Sequence, residues 1–235
     1  MYRSSSLPAF FRDRGLRSAA ASAGLVVYSF GTYLQMQANL GLAPWNALNL
    51  GLSNHTALSY GTASILISLA VVVLDLLLRE PIGLGTILDA LVVGWSMDFF
   101  LWFGWVPVQT ALLPQLLLLL VGLVIMCVGA VLYMKPGLSC GPRDALLVAL
   151  GRRLPRLSIG CINIVLLAAV LAVSVWMGVP PGIGTAITVF GTGIVMDLVF
   201  HCLHFEPRQV NHEGLAQTWR AFLLAKQPSH TTVHE

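Results

Sequence analysis

The stretch PIGLGTILDALVVGWSMDFF, residues 81–100, decides how this chain is read. It is apolar enough to cross a bilayer, yet it carries Asp89 and Asp98. A charged side chain at the middle of a bilayer costs about 3 kcal/mol or more, so two retained carboxylates need a reason. The stretch also recurs: residues 180–199 read PPGIGTAITVFGTGIVMDLV. At an offset of 99, Pro81, Gly83, Gly85, Thr86, Gly94, Met97 and Asp98 meet Pro180, Gly182, Gly184, Thr185, Gly193, Met196 and Asp197. The match extends backwards. Ser59 and Gly61 meet Ser158 and Gly160 at the same offset, while PWNAL (44–48) meets PRDAL (142–146) at 98. Gly24 and Gly31 meet Gly122 and Gly129, also at 98.

The composition sets the environment. The chain has 235 residues, 57% hydrophobic and 10% charged, with a mean hydropathy of +0.81. A soluble domain carries about 25% charged residues, so a polytopic membrane protein is expected. A helical span needs about 20 mostly apolar residues. Six segments qualify: 18–38, 59–78, 82–103, 113–134, 158–178 and 183–203. Two shorter apolar segments start at Pro44 and Pro142. Ten helical residues reach only about 15 Å, so these are read as half-helices.

Thirteen Lys and Arg residues fix the orientation. With six spans and the N-terminus inside, all thirteen fall on the cytoplasmic side, as the positive-inside rule requires. The connections at about 38–58, 104–112 and 178–182 hold none. Both termini are therefore expected in the cytoplasm. The basic N-terminus before an apolar run resembles a signal peptide, but no small-residue cleavage pattern follows, and Gly24 belongs to the repeated part. A retained first span is expected.

Each half reads as span, half-helix, span, span. Three spans is an odd number, so the second copy enters the membrane from the opposite side. The expected fold is an all-α membrane protein of six transmembrane helices plus two half-helices, built as two inverted-topology three-span repeats. The expected divisions are a basic cytoplasmic arm (1–17), repeat 1 (18–104), repeat 2 (113–204) and a cytoplasmic tail (205–235). Within the tail, Leu215, Trp219, Phe222 and Leu223 recur at helical spacing, which predicts an amphipathic helix over about 211–226, on the inner leaflet or docked under the bundle. Inverted repeats are frequent in secondary transporters.

The Pro-x-Gly-x-Gly-Thr element leading to Met-Asp, with GLAPWNAL (41–48) after the first span, resembles the YczE/YitT-like bacterial inner-membrane proteins. The resemblance covers about residues 20–205. It implies a six-span-like bacterial membrane protein and carries over no substrate and no catalytic residue.

The polar residues inside apolar segments are the candidate path. Asp98 and Asp197 sit at equivalent depths of spans that run in opposite directions, one near each mouth. Both are expected to face the interior between the halves; the bland alternative is a carboxylate bonded to a neighbouring helix end. Asp89 has Thr188 as its repeat partner, and a lone asymmetric carboxylate suits a proton or a cation. Asn46 and Asp144 fall in the first turn of the half-helices, where Asp144 can cap free amides. Trp45 is expected to line the cavity or anchor at the interface. Its counterpart Arg143 is expected among lipid headgroups, and turned inward it would suit an anion. Thr86 and Thr185 cap their helices or line the path. The glycine pairs beside them lack the lysine of a phosphate loop and read as helix starts that allow close packing. Asp75 and Arg79 are expected to pair at i,i+4. His201 and His204 read as interfacial histidines rather than metal ligands. Cys127, Cys140, Cys161 and Cys202 form no CxxC pair, so no metal, redox site or cofactor is expected.

No nucleophile constellation and no nucleic-acid footprint is present, so an enzyme is not expected. The expected partners are the lipid bilayer and a small solute, with a homo-oligomer compatible. Two functions fit: a small secondary transporter or exporter with a path between the repeats, or a non-transporting accessory protein that binds a lipid or a partner protein.

Overall fold

The computed structural model describes residues 7–138 and 141–205, with Gly214, Trp219 and Leu223. The expected amphipathic helix at 211–226 therefore lies outside the described residues, apart from these single positions. The described residues are helical throughout, in the order α1 (Leu7–Gln37), α2 (Pro44–His55), α3 (Tyr60–Leu77), α4 (Leu84–Phe103), α5 (Leu112–Met134), α6 (Pro142–Arg153), α7 (Ile159–Trp176) and α8 (Ile183–Cys202). Four of them, α3, α4, α5 and α8, are long and apolar enough to cross a membrane, and α7 contains a shorter apolar helix, Gly160–Trp176. The first helix begins at Leu7 rather than near residue 18. The basic arm is thus partly helical, with Arg17 Nε 3.0 Å from Asp13 Oδ2 one turn away.

The helix starts follow local chemistry. Pro44 and Pro142 open α2 and α6, where a missing N–H costs nothing and φ is already helical. Ser59 and Ser158 cap α3 and α7, each hydroxyl accepting from the backbone N–H three residues on. Gly83 and Gly182 precede α4 and α8. Their N–H groups donate to the Oγ1 atoms of Thr86 (3.4 Å) and Thr185 (3.1 Å), so these buried threonines close the first turn.

At offsets of 98 and 99 the bounds of α2, α3 and α4 coincide with those of α6, α7 and α8 residue for residue. The turns coincide too. Arg79 and Gly178 both take positive φ, and the bond from Glu80 N–H to Asp75 O repeats as Val179 N–H to Ser174 O.

The centre of the fold is the pair α1 and α5. Gly24 lies against Leu132 and Tyr133, and Gly31 against Gly122 and Met126, so the two helices run antiparallel. A Cβ at Gly24, Gly31, Gly122 or Gly129 would overlap backbone of the other helix. Small residues thereby allow the close approach that drives helix association in lipid. Around this pair, α4 packs on α1 and α3, and α8 on α5. Both half-helices pack between α3 and α7. One core cluster gathers Tyr33, Leu34, Tyr60, Met97 and Phe100; another gathers Leu123, Met126, Cys127, Val131 and Val199.

One expected contact comes out differently. Asp75 and Arg79 do not pair. The helix ends at Leu77, Arg79 enters the turn with φ 56°, and the buried Asp75 has no hydrogen-bond partner on either oxygen. Glu80 instead holds Arg152 at the end of α6, with Arg152 Nη1 3.1 Å from both carboxylate oxygens.

Candidate functional site

The loops that lead into the half-helices cross to the other half of the chain. Gly184 N–H, in the first turn of α8, donates to Leu40 O at 2.7 Å, and Gly85 N–H, in the first turn of α4, donates to Leu138 O at 3.3 Å. Gly41, at φ +103°, lies against Gly182 and Thr185 so closely that no side chain fits. The Pro-x-Gly-x-Gly-Thr elements therefore start a helix and dock the opposite half-helix loop in one motif.

This docking brings the starts of α2 and α6 together. The Arg143 guanidinium stacks over the Trp45 ring, 5.3 Å from its centroid. Arg143 thus turns inward and is half-buried, rather than lying with lipid headgroups, and its Nε has no hydrogen-bond partner. Asp89 sits beside it: a methyl at Gly141, the residue before α6, would stand 3.1 Å from Asp89 Oδ2. Arg143 attracts the Asp89 carboxylate and Asp144 repels it. The Tyr28 hydroxyl of α1 lies in the field of all three. On the α2 side Asn49, 1% exposed, donates to Ser64 Oγ at 3.0 Å while its own Oδ1 has no partner. Asp89 is half-buried and Asp144 exposed, and with Arg143 they form a cluster of one cation and two carboxylates. Trp45, Arg143, Asp144 and Asp89 are brought together. Asn46 is half-buried on the first turn of α2. Asn49 and Tyr28 carry no motif; only their position inside apolar runs marks them.

Asp98 and Asp197 are not brought together, and their surroundings differ. Asp98 closes the end of α3: its Oδ1 accepts from Gly61 N–H at 2.7 Å and its Oδ2 from Ser59 Oγ. Behind it Gly61 and Gly94 meet backbone to backbone, and Met97 is fully buried. The same residues at the second end stand apart. Asp197 is exposed, an added Cβ at Gly160 or Gly193 would meet nothing within 4 Å, and α7 and α8 share no interface comparable to that of α3 and α4 among the described residues.

The comparisons with known proteins identify the family. A model of a family of unknown function, DUF6198, matches residues 16–201. The chain belongs to this family. Among relatives, the family member here is 30% identical over 181 residues to the uncharacterized membrane protein YczE of Bacillus subtilis, covering 74% of this chain and 80% of that one. It is 29% identical to an uncharacterized protein of Haemophilus influenzae, over 76% and 81% of the two chains. It is also 30% identical to YyaS of Bacillus subtilis, over 74% and 87%. No solved structure matches. The DUF6198 match takes in α1 from residue 16 and every later helix to His201, so Asp98, Asp197 and the Trp45–Arg143 pair all belong to the shared part.

Proposed function

We propose that this DUF6198 protein is a small secondary transporter or exporter of a bacterial inner membrane, with six spans, both termini cytoplasmic, and a solute path between two inverted repeats. The inverted relation is supported by contacts that exchange under the repeat. The contact of Gly24 with Gly129 becomes that of Gly122 with Gly31. The Tyr28–Tyr133 ring contact becomes the Gln35–Met126 contact, and the Gly184–Leu40 bond becomes Gly85–Leu138. Equivalent helices that run antiparallel, α1 and α5, call for a two-fold axis across them. That axis lies in the membrane plane, as in many secondary transporters.

One observation carries the reading: twin latches stand in opposite states. The Asp98 latch is shut on Ser59 and Gly61, while its twin at Asp197, Ser158 and Gly160 is apart. In the proposed topology the shut end is periplasmic and the parted end cytoplasmic, and the Asp89–Arg143–Asp144 cluster, placed between them, takes the solute. A symmetric chain held in an asymmetric state has its mirror state within reach of the same sequence.

Cysteine pairs test this in a background without the native cysteines. Ser59→Cys with Asp98→Cys reports the first latch, where the Ser59 hydroxyl meets the Asp98 carboxylate. Ser158→Cys with Asp197→Cys reports its twin. Both pairs are expected to cross-link in membranes, and locking either is expected to suppress the other. A second pair that never closes, beside a first that always does, would mean a static bundle and would remove alternating access.

A further inference from the structure

Asp75 has no role in the path above, and its surroundings are unusual. It is 0% exposed, in the last turn of α3, and neither carboxylate oxygen has a hydrogen-bond partner. A buried ionised carboxylate without a donor is among the most expensive groups a fold can hold. The charged or titratable groups on the helices packed against α3 are His55 of α2, Asp89 and Asp98 of α4, and Arg143, Asp144, Arg152 and Arg153 of α6. None makes a hydrogen bond or ion pair with Asp75. Arg152 is committed to Glu80.

The repeat supplies the missing chemistry. Asp75 occupies the backbone position of Ser174, in helices with matching bounds, matching end turns and full burial at both sites. Ser174 is a donor there. Its hydroxyl gives to Val170 O at 2.8 Å within its own helix and lies 3.3 Å from Pro44 O, in the first turn of half-helix α2. The equivalent acceptors for Asp75 are the carbonyls of Val71 and Pro142. A carboxylate can only accept; a carboxylic acid carries the O–H that these carbonyls need.

We propose that Asp75 is a proton-binding site: the neutral acid donates its one O–H to the Pro142 carbonyl, with the Val71 carbonyl of its own helix as the alternative acceptor, holding α6 to α3 as Ser174 holds α2 to α7. On release the O–H bond breaks, the proton goes to solvent, and the carboxylate left behind faces carbonyl oxygens that repel it. The α3–α6 contact then loosens, whereas its serine twin cannot switch. Protonation thus acts on one half-helix only, and the ligand class is the proton itself. The inference rests on the repeat correspondence and not on passage of a solute, so it stands or falls separately from the cross-linking above.

The test is an infrared difference spectrum of the full chain in lipid, wild type minus Asp75→Asn. The expected result at pH 5 is loss of one protonated-carboxyl C=O band in the variant. In the wild type that band should bleach reversibly as pH is raised, with helix content unchanged. Loss of an ionised-carboxylate band instead would overturn the proposal, and so would a band that persists until the helices melt. Should Asp75→Asn fail to fold, Asp75→Ser, which copies Ser174, takes its place in the same subtraction.

Discussion

Substitution of Gly31 by alanine tests the packing that organises the fold. A Cβ there would stand 2.6 Å from Gly122 O and closer still to Met126 N. Ordinary contact begins near 3.4 Å, so α1 and α5 must part by at least about 0.8 Å along most of their shared length, because backbone cannot rotate away as a side chain does. Overpacking of this kind costs about 1–3 kcal/mol. For a chain of this size each kcal/mol moves the melting temperature by about 2–4 °C, so Gly31→Ala should lower it by roughly 2–12 °C. The assay is thermal unfolding in a fixed detergent. The control is Gly193→Ala, where an added Cβ meets nothing and alanine gains about 1 kcal/mol of helix propensity over glycine. It should be neutral or stabilising. A silent Gly31→Ala, or equal losses at both sites, would refute the packing argument.

The latches should differ in the same assay. Asp98→Ala removes two charge-assisted bonds at the start of α3 and should cost about 1–3 kcal/mol, while Asp197→Ala, at an exposed position, should move the melting temperature little. Trp45→Ala should cost about 0.5–2 kcal/mol through loss of the Arg143 stack, and Arg143→Ala in that background should then add less than it does alone; a double-mutant cycle with no coupling would remove the stack from the account. Topology is checked with an impermeant thiol reagent on intact cells. Cysteines at the exposed positions Asn54, Thr110 and Pro181 should react from outside and one at Arg153 should not, and the reverse pattern would overturn the orientation.

Much of the architecture was legible because its causes are local. Proline at 44 and 142 and glycine at 83 and 182 mark helix starts within a residue of those found, since capping and φ restriction act over three or four residues. The repeat was legible because identities at a fixed offset need no geometry. The partners of the polar groups were not. Asp98 pairs with Ser59 and Gly61 across 39 and 37 residues, and nothing in either segment names the other, although all three stood in the matched set. Arg143 read as a lipid-facing cation because its inward turn depends on Trp45, 98 residues away. Asp75 and Arg79 have the spacing of a helical pair, but α3 stops between them, and the turn carries Arg79 away while the neighbouring helices cover Asp75.

The central claim is that shutting one mouth opens the other, and Met97 reports it directly. Met97 is fully buried behind the shut Asp98 latch, whereas its twin Met196 is partly exposed. With the second mouth locked by a Ser158→Cys/Asp197→Cys disulfide, a residue behind the first should become exposed. The measurement is labelling of Met97→Cys by an impermeant reagent added from outside, in a background without the native cysteines, once the locking disulfide has formed. The account predicts slow labelling when that disulfide is absent and fast labelling when it is present, with reduction restoring protection. Equal protection of Met97→Cys with and without the lock, in folded protein of equal amount, would contradict it.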